Sequence, residues 1–429
     1  MSSTTPSRRG FLGAGLGAAA AASFSIVPSR VLGADAPSNG LTHAIIGVGG
    51  MGTGHISYVA KPDRLVAVAD TDENHMLNAV KIAGAGCKGY RNFLEMLDKE
   101  QIDVCHIATP PHWHALASIY AAEAGCDIWC EKPMTHHLGE GAHVIEAVQR
   151  HGRMFRLNTW FRLNSQFYGL GCEVKPIKKI VQAGLLGWPL TVRVSDHTGF
   201  NWKVKMWSGR TDLTPQPIPP TFDYDLWLGP APFKPYNLHR THQTFRGYWD
   251  YDAGGLGDMG QHYLDPVQYI LGKDGESPVE VEAKAPWPVH PDAVGFWWNV
   301  EMRYADGCRI IMESDVVANP ETKGQPYIEG PKGKIFMGPR FDPPELKDAI
   351  AALPDPEPMI SDFRQSVLTR RKFGLNEVNG NRSVALIHLA DAAIRTGRKL
   401  TFDSAAMRFV GDDDANRLID QPYRAPWHF

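Results

Sequence analysis

Apolar residues come in short unbroken runs through the first part of the chain. "THAIIGV", "RLVAVAD", "DVCHIATP" (103–110), "DIWCEKP" (127–133) and "MFRLNTW" (154–160) each pack several apolar residues side by side, without alternation. Runs of this length read as strands covered on both faces. Helix-compatible stretches separate them, at about 114–124 and 139–151. Strand and helix alternating in this way predict an α/β fold with a doubly wound parallel sheet. From about Phe161 the rhythm changes. "LTVRVSD" and "FWWNVEMRY" alternate with period two; in the latter Phe296, Trp298, Val300, Met302 and Tyr304 face one way. Trp297, Asn299, Glu301 and Arg303 face the other, and a hairpin through Ala305, Asp306 and Gly307 leads into "CRIIMES".

The first run carries chemistry at its end. Gly47-x-Gly49-x-x-Gly52, with Gly50 and Met51 inside it, closes a strand and opens a helix. Gly47 suits a tight turn, Gly49 admits a pyrophosphate close to the backbone, and Gly52 lets helix and strand touch. "RLVAVAD" ends in Asp70, an acid placed to accept both ribose hydroxyls and to repel a 2′-phosphate. The expected cofactor is NAD, with NADP disfavoured. Ligands in such sheets bind beyond the carboxyl ends of the strands. "TPPHWH" and "EKP" fall there, and Pro133 holds Lys132 extended at that edge.

A second constellation lies in "GGLGDMGQHYLD" (254–265), where Asp258 and His262 share one helical face. Its glycines are expected in a loop, with the helix beginning near Asp258 and kinking at Pro266. Between the two domains' motifs, an insertion from about Gly199 to Trp249 is rich in Trp, Pro, Tyr and His and should wall the site. Trp202, Trp207, Tyr248 and Trp249 offer faces for a pyranose, and His239 or Arg246 could bind hydroxyls.

Glu131-Lys132-Pro133, Thr109-Pro110-Pro111 with His114, and Asp258-x-x-x-His262 resemble the motifs of the Gfo/Idh/MocA oxidoreductases. The resemblance runs over about 41–400. It implies an N-terminal Rossmann dinucleotide-binding domain (41–160) and a C-terminal α/β domain (161–400) with a large open, mostly antiparallel sheet. Residues 401–429 resemble the C-terminal extension of an exported branch. It also implies a catalytic set of Lys132, Asp258 and His262. In that set His262 takes the hydroxyl proton, Asp258 binds substrate and favours the imidazolium, and Lys132 polarises the developing carbonyl. Thr109, Pro110, His114, Glu131 and Trp160 join the cofactor set, and Arg162 the substrate set.

Composition narrows the partners. The chain has 429 residues, is 43% hydrophobic and 21% charged, and carries a net charge of −3. That describes a globular protein without a broad nucleic-acid surface. A twin arginine, Arg8-Arg9, precedes a weakly apolar Ala/Gly run and a small-residue site near Ala34 or Ala36. Residues 1–36 therefore read as a twin-arginine signal, not a stable membrane anchor, for export of an already folded protein to the periplasm or beyond. Six cysteines without a C-x-x-C pair are expected to stay reduced and buried. No metal is expected, since His112/His114, His136/His137 and His239/His242 sit in loops without visible partners.

The expected activity is NAD-dependent oxidoreduction of a sugar or polyol hydroxyl. Outside the cytoplasm spent NAD is not replaced, so the cofactor should stay bound and be recycled. Redox-neutral glycoside hydrolysis or elimination through transient oxidation of a ring hydroxyl is a second scheme. A catalytically silent sugar-binding protein is a third. An open sheet further suggests a homo-oligomer, dimer or tetramer.

Overall fold

In the computed structural model of the chain, residues 40–159, 161–163, 173–314, 316 and 324–429 are described. The leader, Trp160 and Cys172 lie outside them. Six parallel strands form the first sheet: β1 (Thr42–Ile46), β2 (Arg64–Ala69), β3 (Lys88–Tyr90), β4 (Val104–Ile107), β5 (Asp127–Glu131) and β6 (Phe155–Asn158). Their order, β3-β2-β1-β4-β5-β6, reverses between β1 and β4, and so opens a crevice at the carboxyl ends. The His114–Glu123 and Glu140–Arg150 helices follow β4 and β5 where the sequence pattern placed them.

The second sheet has nine strands: β7 (Thr191–Ser195), β8 (Glu280–Lys284), β9 (Asn299–Arg303), β10 (Arg309–Glu313), β11 (Ile328–Gly330), β12 (Gly333–Phe336), β13 (Arg340–Asp342), β14 (Leu400–Asp403) and β15 (Arg408–Phe409). They run β13-β12-β11-β7-β10-β9-β8-β14-β15. Every neighbouring pair is antiparallel except β7 with β10. One face, with Val192, Val194, Val300, Met302, Ile310 and Met312, is buried in the main core. The other carries cross-strand ion pairs, Arg303 with Glu280, Arg309 with Glu301 and Arg193 with Glu329.

The hairpin at 305–307 forms as expected, with Gly307 at φ +89°. The alternation ahead of it does not. Val300, Met302 and Tyr304 are buried, but Phe296 and Trp298 are each 41% exposed and Trp297 is buried. β9 begins only at Asn299, so the pleat sets no parity for 296–298. There the Trp297 carbonyl instead accepts a hydrogen bond from Ser314 Oγ.

The sheet also runs past residue 400, because β14 pairs with β8 and β15 with β14. The separate tail starts beyond β15 and returns across the molecule. Arg424 pairs with Asp225, and its N–H donates to the Pro230 carbonyl. Tyr423 donates to Glu140, and Trp427 packs edge-on against Trp113. Five cysteines (Cys87, Cys105, Cys126, Cys130, Cys308) are free thiols. Among the described residues no helix is long and apolar enough to cross a membrane.

Candidate active site

Gly47, at φ +80°, turns the chain off β1 into the Gly50–His55 helix. A Cβ on Gly52 would stand 1.8 Å from the Gly47 carbonyl oxygen, so this entry angle requires glycine. Gly49, Gly50 and Met51 border a cavity of about 550 Å³, and nothing lies within 4 Å of where a Gly50 Cβ would point. Asp70 borders the same space just after β2, its carboxylate held by the N–H groups of Val48 (2.8 Å) and Asp72 (2.9 Å). An open glycine cradle at one point and a fixed acid at another suit the pyrophosphate and ribose of NAD.

Thr109, Pro110, Glu131 and Lys132 continue the wall toward the catalytic edge. His114 does not border the cavity. Its Nδ1 faces the Pro133 carbonyl at 2.6 Å and its Nε2 the Thr109 carbonyl at 2.8 Å. It ties the two wall loops together and positions the cofactor residues without touching the space.

The insertion supplies the opposite wall, through Lys203, Trp207, Phe222, Trp227, His242 and Arg246. It is stitched to the cofactor domain. Glu73 N–H donates to the Thr221 carbonyl (2.9 Å), Asp223 N–H donates to the Thr71 carbonyl (2.9 Å), and Asp72 bridges Phe222. At this seam Asp72, His75 and His242 bring three ligand-type atoms within 4.8 Å of one another. His239 takes no part, because its Nδ1 is 2.7 Å from the Tyr248 hydroxyl.

Asp258 and His262 lie on one helix, but it starts at Gly254, not near Asp258, and runs unbroken through Pro266 to Leu271. The glycines belong to its first turns because the helix is driven against neighbouring chain. A Cβ on Gly255 would meet the Trp202 carbonyl at 1.9 Å, and one on Gly257 the Asp252 carboxylate at 1.7 Å.

Asp258 is a hub of donors. Oδ1 accepts from Lys132 Nζ (3.1 Å) and Arg246 Nε (3.1 Å). Oδ2 accepts from Trp207 Nε1 (2.8 Å) and Lys203 Nζ (3.4 Å). Burial alone would raise this carboxyl, but Lys132, Arg246 and Lys203 hold it well below the usual range. Lys132 also donates to the Asp258 carbonyl (2.7 Å), which leaves one of its three N–H bonds for a ligand in the cavity. His262 is buried behind Asp258 and, like His114, does not border the cavity; its Nδ1 is 2.9 Å from Thr159 Oγ1. Burial and the nearby Lys132 push its imidazole down to about 3, so it rests neutral and not as the imidazolium that Asp258 was expected to favour.

Several expected substrate residues are structural. Trp202 is fully buried and donates to the Val194 carbonyl, packed on Tyr263 and Trp297. Tyr248 is buried in the insertion's own cluster, and Trp249 donates to the His290 carbonyl. Arg162 has a fully buried side chain that forks onto Asp265 (2.7 Å) and reaches Asp274 (2.6 Å). Trp207 and Arg246 do reach the site, yet their polar groups serve Asp258. Lys203 was missed, since a lysine among loop aromatics carries no signal of its target. Arg162→Met should destabilise the fold by ~3–5 kcal/mol by stranding Asp265, with KM unchanged in the folded fraction. Denaturant unfolding alongside kinetics checks this.

A family model described as oxidoreductase family, NAD-binding Rossmann fold, matches residues 41–159. A second, described as oxidoreductase family, C-terminal alpha/beta domain, matches residues 170–429. An inositol 2-dehydrogenase of Streptomyces avermitilis is 30% identical over 169 residues, 37% of this chain and 46% of that protein. The first curated relatives are matched over less than two thirds of their length, 58% and 43% for the first two. Among solved structures, the WlbA dehydrogenase of Chromobacterium violaceum, in complex with NADH and UDP-GlcNAcA, aligns with TM-score 0.57 at 19% identity. That alignment covers 85% of this chain and 96% of that one. An aldose-aldose oxidoreductase from Caulobacter crescentus aligns with TM-score 0.53 at 18% identity, covering 85% and 100%.

Proposed function

The chain belongs to the Gfo/Idh/MocA oxidoreductase family, with its NAD-binding Rossmann domain and C-terminal α/β domain, and on that premise we propose that it oxidises a sugar or polyol hydroxyl with an NAD that stays bound between turnovers. The observation that carries this reading is the seam. Residues 221–223 are hydrogen-bonded to residues 71–73 beside Asp70, so the insertion roofs the ribose end of the cavity. A cofactor seated there is covered at its ribose end by those bonds. Export as a folded protein, proposed from residues 1–36, calls for such retention.

Within the site, Lys132 offers its remaining N–H to the substrate oxygen and stabilises negative charge on it. Asp258 fixes that ammonium in direction. His262, neutral at rest and set behind the cavity wall, takes the hydroxyl proton in this reading. Bound NAD supplies the hydride acceptor. Lys203 and Arg246 border the cavity and are oriented by the same carboxylate, placed to hold further substrate oxygens. A retained cofactor serves redox-neutral glycoside cleavage equally, which makes that the second reading.

Purified protein should release close to stoichiometric NAD(H) into the supernatant on denaturation. A cofactor-free protein with no affinity for NAD overturns both readings. With NAD bound, growth of reduced-cofactor absorbance with single sugars supports the first. Release of reducing sugar from glycosides with no net cofactor change supports the second.

A further inference from the structure

Four polar side chains cross the first domain beneath the Gly50–His55 helix where a Rossmann sheet ordinarily carries aliphatic ones. Glu131, at the end of β5 and on the cavity wall, has Oε1 2.8 Å from His55 Nε2. His55 Nδ1 is 3.1 Å from His106 Nδ1, on β4. His106 Nε2 is 2.9 Å from His43 Nδ1, on β1. His43 Nε2 has no hydrogen-bond partner among the described residues but faces Asp63 Oδ2 at 3.6 Å, in the turn ahead of β2, a gap that has to close by about half an ångström for a proton to cross. The three imidazoles are buried, while Asp63 pairs with the partly exposed Arg364. The row thus runs from the cavity at the sheet's carboxyl edge to the periphery at its amino edge.

We infer that Glu131, His55, His106 and His43 form a proton relay between the active-site cavity and Asp63 at the protein's edge. The chemistry follows from the contacts. Both ends of the row are carboxylates, and imidazoles in series that each carry a single N–H can turn it toward only one end at a time. A proton accepted at the cavity end forms a new N–H on His55 and breaks its opposite one. The same exchange repeats at His106 and His43, and a proton leaves toward Asp63. All three tautomers are then reversed, and the next proton can pass once they reset.

The surroundings favour transit over storage. Burial holds His43 and His106 below their ordinary values, although Asp63 and Asp103 draw a proton toward His43, so neither inner ring is a sink. Trp129 stacks on His106, with the Arg156 guanidinium 3.6 Å from the indole's centre and Tyr58 against its other surroundings. That cation disfavours a resting charge on His106. Asn158 donates to Glu131 and fixes its carboxylate. Oxidising an alcohol to a carbonyl releases one hydride and one proton, and the relay gives the proton a route while substrate and cofactor fill the cavity. Its purpose rests on the dehydrogenase reading, but its conduction does not.

The test therefore needs no turnover. In full-length protein labelled with ¹⁵N-histidine and saturated with NAD⁺ to fill the cavity, water exchange of the imidazole N–H protons is measured by magnetisation transfer. Exchange at His55 is expected to slow at least ~10-fold in His43→Phe, while amide protection in β1 and β4 stays the same. Asp63→Asn, which keeps every ring, is expected to slow it in the same direction and serves if His43→Phe does not fold. Unchanged His55 exchange in a folded variant overturns the relay. So does wild-type exchange as slow as that of core amides, which marks a closed structural network. Failure to bind NAD⁺ bears on the proposed function instead, and the same comparison then runs on the unliganded protein.

Discussion

Replacing Lys132 by Met is expected to lower kcat by about 10³-fold while leaving NAD bound and the fold intact. The size follows from losing a preorganised cation at the oxygen where charge develops. The fold should survive because Asp258 keeps Arg246, Lys203 and Trp207 as donors. NAD should stay because the glycine turn, Asp70 and the 221–223 seam are untouched. Asp258→Asn makes the contrast: three cations then lose the carboxylate they all contact, and stability falls along with activity. Steady-state kinetics on a substrate found by the absorbance screen, with cofactor release on denaturation, reads both quantities. A Lys132→Met enzyme within tenfold of the parent kcat would remove Lys132 from the reacting centre.

Acid should unfold this protein early. Among the described residues burial lowers ten histidines, His43, His106, His112, His114, His136, His137, His239, His242, His262 and His388, three of them to about 3, while a hydrogen bond to Asp70 raises His75. Each of the ten folded values lies below the unfolded 6.5, so below that pH the unfolded chain binds more protons at these groups. Stability then falls as pH falls, by roughly 1.4 kcal/mol per unit for each deeply buried one until its folded value is reached. Buried carboxyls work in the opposite sense. Glu140 and Asp252, raised by burial to about 7, are protonated in the fold and ionised in the unfolded chain over the same window, so acidification favours their folded forms. They offset part of the loss, and the histidines outnumber them. The midpoint of thermal unfolding should drop by about 10 °C between pH 7.5 and 5.5. A flat profile over that interval would mean that most of these imidazoles accept protons inside the fold.

The first domain was legible because its signals are local and redundant. A glycine turn, an acid ending the next strand and alternating apolar runs all pointed to one topology. The Asp258–His262 spacing was readable for the same reason, since a helix fixes which residues share a face. The start of that helix was not, because its glycines answer to Trp202 and Asp252, distant or irregular chain that no local rule anticipates. The insertion was read as a wall, yet its individual aromatics were mostly misassigned. Periodicity gives no facing rule in a loop, so Trp202 and Trp207 look alike in sequence and differ only in what each indole N–H finds. Arg162 failed likewise, its partners Asp265 and Asp274 being over a hundred residues away. His106 did leave a trace, an imidazole inside "DVCHIATP", an otherwise buried strand.

The returning tail bears on the order in which the molecule is made. Residues 41–159, which hold the six-stranded sheet and its glycine turn, leave the ribosome ahead of the rest of the described fold. The stretch that roofs the ribose end follows some sixty residues later, at 221–223. The residues that brace that roof, Tyr423 to Trp427, follow about two hundred residues after it. Synthesis thus presents an open nucleotide shelf, then its cover, then the clasp.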